Sequence, residues 1–259
     1  MIKPKVCILR SAGTNCDNET AQAFLLAGAD IELLHINSLV SLERTLDDFH
    51  ILALPGGFSY GDDVASGKIF ANELRFKLAD SLRKFIGDGK LIIGICNGFQ
   101  ILVKSGLLPQ GSQFKQDTSL IINDSGKFED RWTYLKPQGR SVWTKGIEEI
   151  IYLPVAHGEG KFVVRDKKVL NTLKVNKQII FQYCDAAERL TGYPDNPNGS
   201  TDNIAGICDP TGRILGLMPH PERHIFSLHH PRHWNLKSKK YGDGMQIFRN
   251  GIDFIKKNF

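Results

Sequence analysis

The chain has 259 residues, of which 41% are hydrophobic and 24% charged, and its formal net charge is +5. These values are typical of a folded globular protein and argue against disordered and fibrous classes. There is no basic stripe with interleaved aromatic residues, no apolar run near the ~20 residues of a membrane span, and no N-terminal apolar stretch long enough for a secretory signal. We therefore expect a cytoplasmic protein that binds neither nucleic acid nor membrane.

The cysteines are odd in number, widely scattered and free of any Cys-x-x-Cys pair. They are Cys7, Cys16, Cys96, Cys184 and Cys208. This pattern argues against a disulfide framework and against a zinc site built on cysteine pairs. It is more typical of a protein from a reducing compartment that carries one reactive thiol.

Short apolar runs alternate with helical patterns through the first hundred residues. The runs predict strands at residues 6–9, 31–35, 51–54 and 91–95, and the patterns between them predict helices at about 18–27, 39–46 and 70–86. This alternation predicts an α/β fold with a mostly parallel central sheet, helices on both faces, and ligands at the carboxyl ends of the strands.

The third predicted strand runs into a glycine-rich loop, Pro55-Gly56-Gly57, that lacks the lysine of a phosphate-binding loop. Backbone N–H groups in such a loop suit a developing oxyanion as well as they suit a phosphate. A plain tight turn is the alternative, because Pro-Gly is a common turn signal.

The fourth predicted strand ends at Cys96, which lies between Gly94 and Gly98. Glycines two residues before and two after a nucleophile permit the sharp turn that G-x-S-x-G hydrolases use. An apolar helix face follows, and a helix that begins just after the cysteine favours the nucleophilic thiolate. The stretch predicts a nucleophile elbow, with a buried structural cysteine as the alternative.

The pattern weakens after residue 108. A strand at 128–135, with 142–143 as its pairing partner, predicts antiparallel additions to the sheet. Further strands are expected at 150–154 and 178–184, a hairpin at 204–209 and 214–218, and a helix at 244–257. His157 follows one of these runs in a glycine loop, where it would either contact a substrate or act as a turn residue.

Near the end of the hairpin, His220 lies between Pro219 and Pro221, and Glu222 follows directly. Proline favours extended backbone at the preceding residue, and residues two apart then point the same way. A carboxylate beside an imidazole fixes its tautomer, as in a catalytic triad; a lone surface histidine is the alternative. The nearby His224 and the histidines of 229–233 lack the spacing of metal ligands, so no metal site is predicted.

The order Cys96, His220, Glu222 resembles that of class I glutamine amidotransferases, which have a flavodoxin-like fold. The resemblance is close at residues 54–62, 94–100, 156–160, 196–200 and 216–223. The Gly-Ile-Cys-Asn-Gly-Phe-Gln and Asn-Pro-Asn-Gly-Ser stretches are similar to those of the glutaminase components of phosphoribosylformylglycinamidine synthase, an enzyme of purine biosynthesis. The resemblance covers nearly the whole chain. The sequence has no internal repeat, low-complexity tract or linker, so we expect a single domain over residues 1–259.

The resemblance implies that Cys96 attacks the side-chain amide of L-glutamine, that His220 is the acid and base, and that Glu222 orients it. The backbone N–H groups of Gly57 and Asn97 would form the oxyanion hole. The residues expected to hold glutamine are Gly56, Gln100, His157 and Gly158.

The resemblance also implies partners. Ammonia would pass to the large subunit of a formylglycinamidine ribonucleotide synthetase, possibly with a small third subunit, and ATP and magnesium would bind that synthetase. No cofactor is expected in this chain.

Cys16 lies in a loop that departs from the family, which more often has Phe-Pro before Gly-Thr-Asn-Cys-Asp, and we expect it to be structural. Two alternatives remain: a catalytically silent regulatory subunit, against which the intact triad speaks, and another cysteine hydrolase of flavodoxin-like fold. In the latter a histidine usually follows the cysteine almost at once, whereas here Asn97 does.

Overall fold

The structure is a computed structural model that describes residues 2–235 and 240–259. The strands are β1 (Lys5–Arg10), β2 (Asp30–His35), β3 (Ile51–Leu54), β4 (Leu91–Ile95), β5 (Thr118–Ile121), β6 (Glu129–Pro137), β7 (Ile151–His157), β8 (Lys161–Val164), β9 (Ile179–Cys184), β10 (Ile204–Cys208) and β11 (Ile214–Leu217). The α-helices are α1 (Asp17–Ala27), α2 (Ile36–Val40), α3 (Lys68–Lys77), α4 (Ala79–Gly87), α5 (Asn97–Ser105), α6 (Lys167–Val175) and α7 (Met245–Asn258).

Within the described residues, nine strands form one sheet in the order β2-β1-β3-β4-β11-β10-β9-β6-β7. Neighbours from β2 to β11 are parallel, and neighbours from β11 to β7 are antiparallel. Strands β5 and β8 pair separately as an antiparallel ribbon. The predicted α/β architecture, with a parallel core and antiparallel additions, is confirmed.

The centre of the sheet is fully covered. Every residue of β4, β10 and β11 is buried, as expected for apolar strands with both faces packed. The connection from β1 to β2 runs towards one edge of the sheet. The connections from β2 to β3 and from β3 to β4 run towards the other edge. Since parallel crossovers are right-handed, α1 and α3 cover opposite faces. Helix α7 packs beside α1, and α5 packs beside α3.

The topology brings several strand ends to one edge. Strands β1, β3, β4 and β11 are parallel, so the segments that follow them meet there. Three antiparallel steps separate β11 from β6, and one more places β7 in the same direction as β11. The loops after β3, β4, β7 and β11 therefore surround one site.

Three local predictions were wrong. The helix predicted at 39–46 is instead α2, which begins earlier because the ring of His35 accepts the N–H of Asn37 at 3.2 Å and caps it. The helix predicted at 70–86 is two helices that break at Leu78. Residues 142–143 belong to a one-turn 3-10 helix with a Ser141–Thr144 capping box, and they do not pair with β6.

Among the residues that the structure describes, no helix is both long enough and apolar enough to cross a bilayer.

Candidate active site

Cys96 forms the sharp turn between β4 and α5, with φ 52° and ψ −107°. Its N–H donates to the carbonyl oxygen of Leu217 in β11 at 2.8 Å. A Cβ on Gly94 would lie 2.5 Å from the carbonyl oxygen of Gly98, and a Cβ on Gly98 would lie 1.9 Å from that of Leu54. Because α5 starts this close to the sheet, both glycines are required, and the strand-turn-helix geometry predicted for the elbow is present.

The glycine loop after β3 is held by the loop after β1. The carbonyl oxygen of Gly56 accepts the N–H groups of Asn15 at 3.3 Å and Cys16 at 3.1 Å, and Phe58 donates to Gly13 at 2.9 Å. These bonds fix the peptide planes on either side of the next glycine in the loop.

Gly57 adopts φ 145°, a region that favours glycine. A Cβ there would lie 2.7 Å from the nitrogen of Asn15 and 2.7 Å from the oxygen of Gly13. In the described chain its N–H donates to no backbone group. Asn97 is the first residue of α5, so its N–H has no partner within the helix. Gly57 and Cys96 line the same cavity, as an oxyanion hole requires.

His220 lies beyond the end of β11, and its N–H donates to Pro154 of β7 at 2.8 Å. Its Nδ1 is 2.5 Å from Oε1 of Glu222, and each residue is 1% exposed. The flanking prolines predict extended backbone at His220 and Glu222. In the structure, Pro221–His224 forms a 3-10 turn instead, and this turn brings the carboxylate to the ring. Within the described residues, Nε2 of His220 has no hydrogen-bond partner.

The charge state of His220 depends on its neighbours. Burial alone would lower the pKa of the ring, but Glu222 and Cys96 raise it, and the net pKa lies well above the ordinary value of 6.5. The imidazolium form is thus favoured beside the thiol. This is the pairing that a cysteine nucleophile with a histidine acid and base needs.

A cavity of about 190 Å³ opens over Cys96. Of the predicted site residues, the cavity is lined by Gly57, Cys96, Gln100, His157 and Gly158. Lining residues that the sequence argument did not name are Phe58, Asp62, Ser66, Phe128, Ala156 and Glu159. Glu159 could have been predicted as a site residue from the sequence, because it belongs to the same glycine loop as His157 and Gly158.

Gln100 and Asn97 bond to each other and to the loops around the cavity. The amide of Gln100 accepts from Nδ2 of Asn97 at 2.8 Å and donates to the carbonyl oxygen of Glu159 at 2.6 Å. Oδ1 of Asn97 accepts the N–H of Ser59 at 3.3 Å. Both amide ends of Gln100 are therefore used to hold the walls of the cavity.

His157 is buried at the end of β7, and its Nε2 lies 3.4 Å from Nδ2 of Asn198, which also donates to the hydroxyl of Tyr183 at 3.3 Å. Burial has the largest effect on the pKa of His157, and the positive charge of His220 adds to it. Together they lower that pKa to about 3. The ring is therefore neutral. Asn198 belongs to the Asn-Pro-Asn-Gly-Ser stretch, so that motif supports a wall of the site.

Gly56 does not line the cavity with the other predicted glutamine-binding residues. It lies behind the triad, where a Cβ would meet Cε1 of His220 at 2.8 Å, Sγ of Cys16 at 3.1 Å and Cβ of Cys96 at 3.4 Å. The structure thus brings Cys16 against the triad, which its loop sequence did not predict.

Comparison with known proteins identifies the family of this chain. A family model described as a CobB/CobQ-like glutamine amidotransferase domain matches residues 3–255. The chain belongs to this glutamine amidotransferase family. All eleven strands of the described fold and most of α7 lie within the matched range.

Two full-length relatives in this amidotransferase family are named phosphoribosylformylglycinamidine synthase subunit PurQ. The protein from Dehalococcoides mccartyi is 48% identical, with 99% of each chain covered. The protein from Methanococcus maripaludis is 44% identical, with 99% of this chain and 100% of its own covered.

Solved structures match as well. A chain in the structure of PurLQS from Thermotoga maritima is 32% identical, with a TM-score of 0.74, and the match covers 98% of this chain and 100% of that chain. A glutamine amidotransferase from Thermotoga maritima is 15% identical with a TM-score of 0.54, over 90% of this chain and 81% of its own, which shows a shared fold alone.

Proposed function

We propose that this chain is the glutaminase subunit of phosphoribosylformylglycinamidine synthase and hydrolyses L-glutamine to glutamate and ammonia. The observation that carries the chemistry is the elbow cysteine, Cys96, which lines the cavity and has the buried His220–Glu222 pair beside it. The full-length PurQ relatives support the assignment to purine biosynthesis.

The reaction begins when the thiolate of Cys96 attacks the amide carbon of glutamine. The oxygen gains negative charge opposite the N–H groups of Gly57 and Asn97, and removal of one such donor usually costs on the order of 3 kcal/mol of transition-state stabilisation. Nε2 of His220 gives its proton to the amide nitrogen, the C–N bond breaks, and ammonia leaves. A glutamyl thioester remains on Cys96.

Water then completes the cycle. His220 accepts a proton from water as its oxygen attacks the thioester carbon, and the C–S bond breaks to release glutamate and the thiolate. Glu222 stabilises the imidazolium in both halves of the reaction and does not itself take the proton.

Glutamine is a zwitterion, and the cavity suits its ammonium end. Both formally charged side chains that line it are acidic, Asp62 and Glu159, whereas His157 is neutral. Burial raises the pKa of Asp62, which Ser66 and the N–H of Gly67 oppose by hydrogen bonding. We propose that these carboxylates face the α-ammonium group, with Gly158 and Gln100 forming the adjacent wall.

The partner follows from the Thermotoga maritima assembly, whose name combines L, Q and S components. We propose that ammonia passes to a synthetase large subunit that binds ATP, magnesium and formylglycinamide ribonucleotide, with a small third subunit in the complex. Five free cysteines, all buried, support a reducing, cytoplasmic location. We further propose that residues 1–259 form one domain, since one hydrophobic core spans strands from both halves of the sheet.

The decisive experiment compares two nitrogen sources in the reconstituted synthase. Cys96→Ala should abolish glutamine-dependent activity and leave ammonia-dependent activity unchanged. Cys208→Ala is the matched control, because this buried cysteine ends β10, which runs antiparallel to β11 and so points to the opposite edge of the sheet. Glutamine-dependent activity that survives in Cys96→Ala would refute the proposal. Absence of any glutaminase activity in the wild-type complex would favour a silent regulatory subunit.

A further inference from the structure

Cys16 lies against the proposed general base. It immediately precedes α1 and is 1% exposed. The ring of His220 and the sulfur of Cys16 both pack against the α-carbon of Gly56, where a Cβ would lie 2.8 Å from Cε1 of the ring and 3.1 Å from the sulfur. The sulfur of Cys16, a ring nitrogen of His220 and a carboxylate oxygen of Glu222 lie within 4.8 Å of one another.

The sulfur of Cys16 is itself fixed in place. Nη2 of Arg223 donates to it at 3.1 Å, and Oδ1 of Asn15 lies 3.2 Å away. Nε of Arg223 is also 3.8 Å from the carboxylate of Glu19 in α1. Arg223 directly follows Glu222. The turn that carries both residues therefore acts on the His220 ring directly through Glu222 and indirectly through the sulfur of Cys16.

We infer that Cys16 is a positioning residue for His220: its sulfur, held by Arg223, fixes the imidazole between Glu222 and Cys96 and favours the protonated ring. The inference rests on the proposed glutaminase function. It assigns a mechanical and electrostatic task to a cysteine whose loop suggested a structural role alone.

Four groups face the ring from the elements packed around it. They are Glu222 from the same turn, Cys96 from the elbow, Cys16 from the loop before α1, and His157 from the end of β7. Burial opposes the charge of the ring, whereas Glu222, Cys96 and Cys16 raise the pKa of His220. The triad mechanism uses Glu222 and Cys96 but neither Cys16 nor His157. Of the latter two, Cys16 is the one that raises the pKa of His220.

The direction of the effect on catalysis follows from the reaction. The imidazolium must persist until the departing amide nitrogen takes its proton. Removal of the Cys16 sulfur lowers the pKa of His220, so the ring loses its proton at a lower pH. The alkaline limb of the kcat/KM profile should then move to lower pH.

The test measures glutamine-dependent kcat/KM against pH in the reconstituted synthase. Cys16→Ala should lower kcat/KM by about tenfold, the factor for loss of the hydrogen bond from the charged Arg223 to the sulfur. The loss should fall mainly on kcat, with the alkaline limb shifted to lower pH. Arg223→Lys keeps the positive charge but loses the planar guanidinium donor, so it should shift the limb in the same direction, and Cys16→Ser should restore part of the loss. Cys208→Ala should leave the profile in place, and ammonia-dependent activity reports the integrity of each complex.

The inference is overturned if the pH profiles of Cys16→Ala and Arg223→Lys, each scaled to its own maximum, superimpose on that of the wild type. If Cys16→Ala fails to assemble, Arg223→Lys decides by the same criterion, because the side chain of Arg223 is one-third exposed and tolerates replacement. These outcomes are separate from the proposed function, which fails only if Cys96→Ala keeps glutamine-dependent activity.

Discussion

The proposed oxyanion hole over Cys96 depends on the backbone conformation of two residues. Cys96 itself has a positive φ, which is unfavourable for a residue with a Cβ and persists where the surroundings enforce it. Gly57, across the cavity, can adopt its φ of 145° because it has no Cβ. Both residues line the cavity in which the proposed oxyanion would form.

Gly57→Ala should therefore impair catalysis more than folding alone would explain. Its Cβ would meet backbone atoms of Asn15 and Gly13 at 2.7 Å, so the loop must move and its N–H must turn. We expect kcat for glutamine to fall by about a hundredfold, the usual cost of one lost oxyanion donor. The measurement is single-turnover glutaminase kinetics.

Gly87→Ala is the matched control. This residue ends α4, has ordinary helical backbone, and a Cβ there would meet nothing within 4 Å. Its kinetics should match the wild type, with stability equal or higher by about 0.5–1 kcal/mol. A Gly57→Ala protein with wild-type kcat would exclude Gly57 from the oxyanion hole.

At the level of elements, α5 joins the two loops that form the cavity walls. Lys104 in α5 is buried, and its Nζ donates to the carbonyl oxygen of Ser66 at 2.7 Å and lies 3.4 Å from Oε2 of Glu159. Burial lowers the pKa of Lys104, while Glu159 opposes that shift. Lys104 thus links the loop after β3, through Ser66, to the loop after β7, through Glu159.

Removal of that cation should loosen both walls. Lys104→Met leaves a buried carbonyl oxygen without its donor, so we expect the free energy of unfolding to fall by about 1–3 kcal/mol and KM for glutamine to rise. With Glu159→Gln, a double-mutant cycle should give a coupling of about 0.5–3 kcal/mol. Denaturant titration and initial rates measure these effects.

Lys84→Met serves as the control, because Lys84 pairs with Asp47 at the surface and should cost less than about 1 kcal/mol. Additive effects in the Lys104 and Glu159 cycle would show that the two side chains are not energetically coupled.

The elements that could be predicted from sequence are those with strong local signals. Strands β1 to β4 are apolar runs bounded by turns, and α1 ends at Gly28, which adopts a left-handed conformation. Helix α6 was missed although Asp166 caps it by accepting the N–H of Val169 at 2.9 Å. Strands β5 and β8 were missed because each has four residues and is stabilised by a partner far along the chain.

The site divides in the same way. Cys96, His220 and Glu222 lie in short motifs with a recognisable spacing, so sequence reasoning reached them. Asp62 and Cys16 join the site only through loops that the parallel strands bring to one edge. Both residues lie in stretches that resemble the family, but no local pattern gives the role of such a residue, because that role depends on what lies opposite it.

For the whole molecule, burial of a neutral histidine makes stability depend on pH. His157 is 3% exposed and its pKa is about 3, against 6.5 when exposed. Below pH 6.5 the unfolded chain takes up a proton at this site and the folded chain does not. The stability contribution is therefore complete above that pH and is lost as the pH falls towards 3.

His157→Gln should flatten this dependence. Between pH 6.5 and 3 the free energy of unfolding of the wild type should fall by about 1.4 kcal/mol per pH unit from this group alone, and the variant should lack that component. Urea unfolding at several pH values measures the slopes. His229→Gln, at an exposed position, should keep the wild-type slope, and an equal slope in His157→Gln would contradict the argument.

The insertion of β11 beside β4 has a consequence for the newborn chain. Cys96 is anchored by Leu217 of β11, and His220 by Pro154 of β7, so both anchors of the triad involve strands made after the elbow. While the ribosome is still adding the second half of the chain, the thiol has neither its base nor that backbone anchor. Translation order thus leaves the cysteine without its proposed base until the chain has been made as far as His220.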